Sequence, residues 1–351
     1  MRITANQLTI IRIICLPIPC VLLYGGLAAK LVALSLFALL GFTDYLDGVL
    51  ARRYGTTPFG TLFDPIADKI FITVIYIPFV QLGYVPLWAA FLLFLREFLI
   101  TEIRRLLSRT KQELRVTELA KSKTTIQMGG AAFILLVYLV PDRRLVVALF
   151  CLPLAVAVVL AAVDLIRRGR IPHRTMLALG CFSYILAIAA VFPKRQSALL
   201  YMVVILGFTY ASGLQYLRVF YSAWRETGGS LLGVFLRLIT GFLVPMAALA
   251  MVRFVPEASW MVILILSFDF ASQGLDIWVA ALGREERTKE RLKRMVMIPL
   301  ALIAGVGFFA FTDVQTAATA FLWISLSLSG IYGAVDFYGH RQLLLASTSS
   351  S

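Results

Sequence analysis

The sequence predicts an all-α, polytopic membrane protein, and three observations support this fold class. The chain of 351 residues is 60% hydrophobic and only 15% charged, with a mean hydropathy of +0.87. Twelve apolar stretches are long enough to cross a bilayer as helices. Lysine and arginine concentrate in alternate connections between these stretches. A soluble globular domain does not carry so much apolar surface, so soluble classes are excluded.

The apolar stretches define the expected order of elements. We expect transmembrane helices near residues 8–26, 31–51, 60–80, 84–107, 124–140, 145–166, 175–192, 197–218, 231–252, 259–281, 295–312 and 317–338. The first stretch has no small-residue cleavage site, which argues against a removable signal peptide. The four cysteines fall inside these stretches without metal or redox spacing and are predicted to be small apolar residues.

The basic residues predict the orientation of the chain. With both termini on the cytoplasmic side, the connections on that side hold 23 of the 33 Lys and Arg residues, against 6 on the opposite side. The net charge of +14 is scattered between spans, so it indicates loops that face anionic lipid headgroups. A nucleic-acid partner is not expected.

Four aspartates lie in one short stretch of this apolar chain: Asp44, Asp47, Asp64 and Asp68. An ionised Asp at mid-bilayer costs roughly 2.5 to 3.5 kcal/mol, so the group needs a compensating partner. The first pair is three residues apart and the second pair four apart, so each pair projects from one helix face. Two adjacent helices can thus bring four carboxylates together. Any single Asp could instead be a helix-end carboxylate that reaches water or a nearby cation.

Carboxylates without His or Cys are hard ligands that suit Mg²⁺ or Mn²⁺ and leave coordination positions for substrate phosphates. Two such ions can neutralise a pyrophosphate during an in-line displacement. Gly48, Ala51 and Gly60 continue the acidic faces with minimal side chains, which favours a cleft. Arg52 is placed to bind phosphate. The expected substrate is therefore a phosphate ester.

The segments Asp44-x2-Asp47-Gly48-x2-Ala51-Arg52 and Gly60-x3-Asp64-x3-Asp68 closely resemble the signature of the CDP-alcohol phosphatidyltransferase family, with a spacer one residue shorter than is common there. The resemblance implies a six-helix bundle with a polar cavity at the cytoplasmic face. It implies a site that holds Mg²⁺ or Mn²⁺ as two ions. Asp44, Asp47 and Asp64 would be metal ligands, Asp68 a ligand and general base, and Gly48, Ala51, Arg52 and Gly60 would line the site of the CDP moiety.

The family chemistry implied is attack of an alcohol hydroxyl on the lipid-bearing phosphate of CDP-diacylglycerol, with release of CMP. Three further stretches resemble the phosphatidylglycerophosphate synthase branch: Asn6-Gln-Leu-Thr-Ile-Ile-Arg12, the pair Asp64 to Lys69 and Arg96 to Arg105, and Lys121 to Met128. They favour glycerol 3-phosphate as the acceptor.

A second phosphate-bearing substrate needs cations near the aspartates. The candidates for the acceptor phosphate are Arg96, Arg104, Arg105, Lys121 and Lys123. Any one of them could instead only mark topology. Arg96 lies about two turns inside a span beside Glu97, so it forms either a structural ion pair or a cavity wall.

The resemblance covers about half of the chain. We expect a catalytic domain at 1–170, an additional helical membrane module of unknown role at 171–346, and a disordered tail at 347–351. A weak echo of the first half at 236–245 and 268–276 leaves a degenerate repeat open beside an unrelated module. The hypothesis for this half is a non-catalytic role in packing, oligomerisation or lipid handling.

Alternatives to the leading function remain open at this point. The same chemistry could serve another acceptor, namely phosphatidylglycerol as in cardiolipin synthases, serine or an inositol phosphate. Twelve spans with intramembrane acids also suit a cation- or proton-coupled transporter, and an inactive scaffold is a third alternative. The expected location is the bacterial inner membrane, with the active site on the cytoplasmic side, membrane lipids as partners and a homodimer left open.

Overall fold

The computed structural model describes residues 5–54, 58–108, 118–227, 231–281, 298, 300–306 and 315–341. Every regular element in these ranges is helical. The α-helices are α1 Ala5–Cys15, α2 Pro17–Leu22, α3 Leu27–Tyr54, α4 Pro58–Gln81, α5 Leu87–Ser108, α6 Glu118–Leu139, α7 Arg143–Arg168, α8 His173–Val191, α9 Lys194–Thr227, α10 Leu231–Phe254, α11 Ser259–Ala281 and α12 Gln315–Gly339. Residues 300–306 are also helical, and a 3₁₀ turn at Pro256–Ala258 precedes α11.

The predicted all-α membrane fold is confirmed, with one difference at the first span. The structure divides the stretch predicted at 8–26 into α1 and α2 at Leu16. Pro17 and Pro19 open α2, and proline has no N–H to continue the hydrogen-bond ladder of the preceding helix. The predicted eleventh span, 295–312, lies mostly outside the described residues, as does the tail 347–351.

Several helices present apolar surface to the outside, as a protein in lipid requires. Within the described residues, four helical segments are long and apolar enough to span a membrane: Arg143–Arg167, Lys194–Tyr221, Pro256–Val279 and Gln315–Gly339. Shorter apolar helices cover Gln7–Leu22, Leu27–Thr43, Ile126–Leu139 and Thr175–Val191. On α7, Leu152 and Ile166 are 71% and 84% exposed. Apolar side chains that are so exposed fit a helix that contacts lipid.

Helices α4 and α5 form the centre of the bundle. Helix α4 packs against α1, α5, α6 and α11, and α5 packs against α9, α10 and α11. The fully buried side chains of Phe79 and Phe94 come from these two helices. The ring centroids of Phe98 on α5 and Phe270 on α11 lie 4.4 Å apart. Helices from the second half of the chain therefore pack directly on α4, α5 and α6, whereas α7 packs mainly against α8.

Candidate active site

The four signature aspartates lie at one end of a helical hairpin. Only residues 55–57 separate α3 from α4, and α1 packs against both helices. The rings of Phe37 on α3 and Phe71 on α4 meet edge to face with centroids 5.8 Å apart. Positions 44 and 47 of α3 and positions 64 and 68 of α4 all lie between this contact and the hairpin connection. The backbone therefore brings the two halves of the signature to the same end of the hairpin.

Helix α1 contacts both helices of the hairpin and binds the two aspartates of α4. The hydroxyl of Thr9 donates a hydrogen bond of 2.9 Å to Oδ1 of Asp64. Nη1 of Arg12 lies 3.7 Å from Oδ1 of Asp68, and the Arg12 side chain is fully buried while that of Asp68 is 32% exposed. The spacing of three residues on α1 matches the spacing of four on α4, because both pairs lie one turn apart. The two carboxylates are thus held in fixed positions by α1.

The donor set of this hairpin fits a divalent metal ion. Asp64 and Asp68 offer carboxylate oxygens from adjacent turns of α4, and hard oxygen ligands of this kind suit Mg²⁺ and Mn²⁺. Among the side chains that the structure describes, no group of three or more His, Cys, Asp or Glu could hold a metal. The side chains of Asp44 and Asp47, and of the predicted CDP-site residues Gly48, Ala51, Arg52 and Gly60, lie outside the described set.

Next to this hairpin, the structure gathers basic side chains around Glu97. Oε1 of Glu97 accepts hydrogen bonds from Nη1 of Arg96 at 3.0 Å and from Nζ of Lys123 at 2.6 Å. Gln127 also approaches the same oxygen, at 3.4 Å. The Glu97 side chain is only 5% exposed. A buried carboxylate on α5 thus links basic residues of α5 and α6.

Two further cations complete the group, which we call the basic cluster: Lys69, Arg96, Arg104 and Lys123. Nζ of Lys69 donates to Oγ1 of Thr101 at 2.7 Å and lies 5.3 Å from the ring centroid of Phe270. Lys69 interacts electrostatically with Glu97 and with the other three cations. Its place in the sequence directly follows Asp68, so the basic cluster begins one residue from the candidate catalytic carboxylate.

The structure brings together part of the predicted acceptor set. Arg96, Arg104 and Lys123 all join the basic cluster, while the side chains of Arg105 and Lys121 lie outside the described set. Arg96 forms an ion pair with Glu97, and its place in a cavity wall that binds the acceptor phosphate stays a prediction.

Sequence reasoning missed three residues of the site: Thr9, Arg12 and Lys69. A signal for the two cations was present, because a basic residue inside an apolar helix is costly and indicates a partner, and this argument was applied only to Arg96. The role of Thr9 has a weaker signal, its position one turn before Arg12 on the same helix. Threonine is common in apolar helices, so its spacing alone does not identify it.

Comparison with known proteins agrees with this arrangement. The sequence model of the CDP-alcohol phosphatidyltransferase family matches residues 2–166 of the chain. A CDP-diacylglycerol–glycerol-3-phosphate 3-phosphatidyltransferase of Rickettsia typhi is 40% identical over 139 residues, which cover 39% of this chain and 78% of the relative. A protein of the same name from Bacillus subtilis is 31% identical over 145 residues, covering 37% of this chain and 75% of that protein.

A third relative, a probable phosphatidylglycerophosphate synthase of Mycobacterium tuberculosis, is 43% identical over 105 residues, which cover 28% of this chain and 50% of the relative. No solved structure gives a significant match. The family match contains α1 to α6, nearly all of α7 and both segments of the aspartate signature. The chain belongs to the CDP-alcohol phosphatidyltransferase family, whose members are transferases that use divalent metal ions.

Proposed function

We propose that the protein is an integral membrane phosphatidyltransferase of phospholipid biosynthesis. It moves the phosphatidyl group of CDP-diacylglycerol to glycerol 3-phosphate and releases CMP. The observation that carries the choice of acceptor is the basic cluster, whose member Lys69 directly follows Asp68 on α4. The names of the relatives support the same acceptor, since two of them are glycerol-3-phosphate phosphatidyltransferases.

The charge of the basic cluster suits a second phosphate group. Three of its cations, Lys69, Arg96 and Lys123, interact with Glu97, and Glu102 is the other buried carboxylate of α5 in the described residues. Even with both carboxylates counted, cations exceed them by four to two within the described side chains. A phosphate monoester carries close to two negative charges near neutral pH and accepts several charge-assisted hydrogen bonds. A neutral polyol as acceptor would leave this surplus uncompensated. Arg105 and Lys121 are also proposed for the acceptor site, because their positions in the sequence are close to those of Arg104 and Lys123.

The reaction is a displacement at the lipid-bearing phosphorus. The hydroxyl oxygen of the acceptor forms a new P–O bond, the P–O bond to CMP breaks, and CMP leaves with the bond's electron pair. Asp68 accepts the hydroxyl proton as general base. Arg12 holds the Asp68 carboxylate in place through the buried contact at 3.7 Å.

The proposed metal ligands are Asp44, Asp47, Asp64 and Asp68, which would hold two Mg²⁺ or Mn²⁺ ions. When bound, such ions neutralise the pyrophosphate and the charge that develops on the attacking and leaving oxygens. Thr9 fixes Asp64 by its hydrogen bond of 2.9 Å. Gly48, Ala51, Arg52 and Gly60 would line the site of the CDP moiety, where small residues admit the nucleotide and Arg52 binds phosphate.

The proposed location is the bacterial inner membrane, with the aspartate end of the hairpin on the cytoplasmic side. The excess of basic residues in the connections on that side supports this orientation. The hairpin connection 55–57 follows Arg52 and Arg53, so the aspartate end is on the basic side.

The test is CMP release from CDP-diacylglycerol by the purified protein in detergent with Mg²⁺ or Mn²⁺. Glycerol 3-phosphate, phosphatidylglycerol, serine and an inositol phosphate are compared as acceptors. We expect release with glycerol 3-phosphate, and its loss in Asp68→Asn. Asp142→Asn is the matched control, because this exposed carboxylate caps α7 and Asn can keep the cap.

Each outcome of this assay has a defined meaning. Absence of metal-dependent CMP release with every acceptor would overturn the enzyme proposal and favour a transporter or an inactive scaffold. Release with phosphatidylglycerol or serine alone would overturn the choice of acceptor while keeping the chemistry.

A further inference from the structure

One buried face of α9 changes character along its length. Towards the start of the helix, the buried positions of this face are mainly apolar after Ser197: Ala198, Met202, Ile205 and the ring of Tyr201. The face then continues through four positions that are hydroxyl-bearing or small: Thr209, Ser212, Gly213 and Tyr216. The spacing of three and four residues keeps all of them on one side of α9. An apolar contact surface is thus followed by a polar one on the same helix, with no break in burial.

The apolar part of the face packs closely on α6. A Cβ placed on Gly130 of α6 would lie 2.5 Å from Cδ1 of Ile205 and against the ring of Tyr201. Glycine at this position lets the backbones of the two helices approach. The close contact fixes the register of α9 against α6, and hence the height at which its polar part begins.

The polar part of the face meets the basic cluster. Oγ1 of Thr209 lies 3.0 Å from Nε2 of Gln127, the amide that also approaches Glu97. Oγ of Ser212 accepts a hydrogen bond of 2.7 Å from Nη2 of Arg96. Tyr216 accepts a hydrogen bond from Arg104 through its hydroxyl and places its ring centroid 4.6 Å from Cζ of the same guanidinium. Three consecutive polar positions of α9 therefore contact members of the basic cluster or their shared neighbour.

The chemistry of these partners is suited to an anion site. A buried guanidinium needs hydrogen-bond acceptors, and a carboxylate in that role would also cancel its positive charge. A hydroxyl accepts the N–H bond and leaves the charge intact. Ser212 and Tyr216 thus orient Arg96 and Arg104 without reducing the attraction of the cluster for a phosphate.

We infer that α9 completes the acceptor site and that Ser212 and Tyr216 are positioning residues for its phosphate-binding cations. The inference rests on the proposed function. It means that α9, which lies outside the family match at residues 2–166, takes part in acceptor binding. It replaces the hypothesis of a non-catalytic second half for this one helix. The inference assigns no role in acceptor binding to helices α10 to α12.

The test uses the full-length protein with Ser212→Ala and Tyr216→Phe, each of which removes one hydroxyl with little change in shape. We expect the KM for glycerol 3-phosphate to rise about tenfold in each, since a hydrogen bond to a charged group contributes at least about that factor. The KM for CDP-diacylglycerol and kcat should stay within about twofold of the wild type. Ser212→Thr, which keeps the hydroxyl, should keep the wild-type KM for glycerol 3-phosphate.

Tyr210→Phe is the matched control for Tyr216→Phe. Tyr210 lies on the same helix within electrostatic range of Arg96, but it donates its hydroxyl to the carbonyl of Leu92 at 3.0 Å and bonds to no cation of the basic cluster in the described contacts. Its substitution removes the same atom from α9 and should leave the KM for both substrates unchanged.

The outcomes separate this inference from the proposed function. If the wild type releases no CMP with glycerol 3-phosphate, the proposed function fails. If the wild type is active and Ser212→Ala and Tyr216→Phe keep its acceptor KM, only the role of α9 fails. A fall in kcat together with a rise in both KM values and a lower melting temperature would show a packing role and also overturn the inference.

Discussion

Replacing Glu97 by Gln is the sharpest test of how the basic cluster is held together. The substitution keeps the size of the side chain and removes its charge, which Arg96 and Lys123 contact at 3.0 and 2.6 Å. Each charge-assisted hydrogen bond is worth roughly 1.5 to 3 kcal/mol. Removing one partner of a buried pair costs about 3 to 5 kcal/mol, because the other charge is left in a medium of low dielectric. Glu97 is 5% exposed and Lys123 13%, so solvent screens little of this cost.

We therefore expect Glu97→Gln to lower the free energy of unfolding by about 3 to 5 kcal/mol. The measurement is reversible unfolding by SDS titration in mixed micelles, followed by far-ultraviolet circular dichroism. Glu257→Gln is the control, because it makes the same chemical change at an exposed position of the 3₁₀ turn. Surface substitutions of this kind alter stability by about 0.5 kcal/mol or less.

A double-mutant cycle isolates the interaction energy between Glu97 and Lys123. Lys123→Met removes the cation, and the combined variant should be less destabilised than the sum of the single variants by about 1 to 3 kcal/mol. Additive effects within about 0.5 kcal/mol, or a change of less than about 1 kcal/mol for Glu97→Gln alone, would refute the ion pair as the centre of the cluster.

Three other predictions follow from the site and its supports. Thr9→Val should reduce metal-dependent CMP release about 10- to 100-fold, since it removes the hydrogen bond that orients Asp64; unchanged activity at limiting Mg²⁺ would contradict this role. Gly130→Ala should destabilise the protein by about 1 to 3 kcal/mol in the SDS assay because its Cβ meets Ile205. Gly129→Ala is its control, as a Cβ there has nothing within 4 Å, and equal effects of the two would refute the close approach. Chelation with EDTA should abolish CMP release, and added Mg²⁺ or Mn²⁺ should restore it; full activity after chelation and dialysis would refute a metal site.

Features that depend on neighbouring residues could be predicted from the sequence. Spacings of three and four residues predicted the two acidic faces, and hydropathy predicted the helical spans. Pro17 divides the first span, a local signal that the hydropathy pattern alone did not use. The structure confirms the helical membrane fold. The metal-ligand roles and the domain boundary at residue 170 stay predictions.

Long-range contacts could not be predicted in this way. Arg96 and Ser212 are 116 residues apart in sequence, and Arg104 and Tyr216 are 112 apart. Serine, threonine and tyrosine are ordinary residues in apolar helices, and the hydroxyls of serine and threonine there often bond to the backbone of the preceding turn. Nothing in the composition of α9 separates these three from the other hydroxyls of the chain. Only the packing of α9 on α5 and α6 identifies their partners.

The distance along the chain between Arg96 and Ser212 has a consequence for biogenesis. At a synthesis rate of about 5 to 20 residues per second, the guanidinium leaves the ribosome on the order of ten seconds before its serine partner. During that interval Glu97, its neighbour in sequence, is the partner already at hand. The buried arginines of the first half therefore form their full set of hydrogen bonds only after α9 has entered the membrane. A nascent chain that stops short of α9 exposes two incompletely bonded arginines, a feature by which membrane quality control can recognise it.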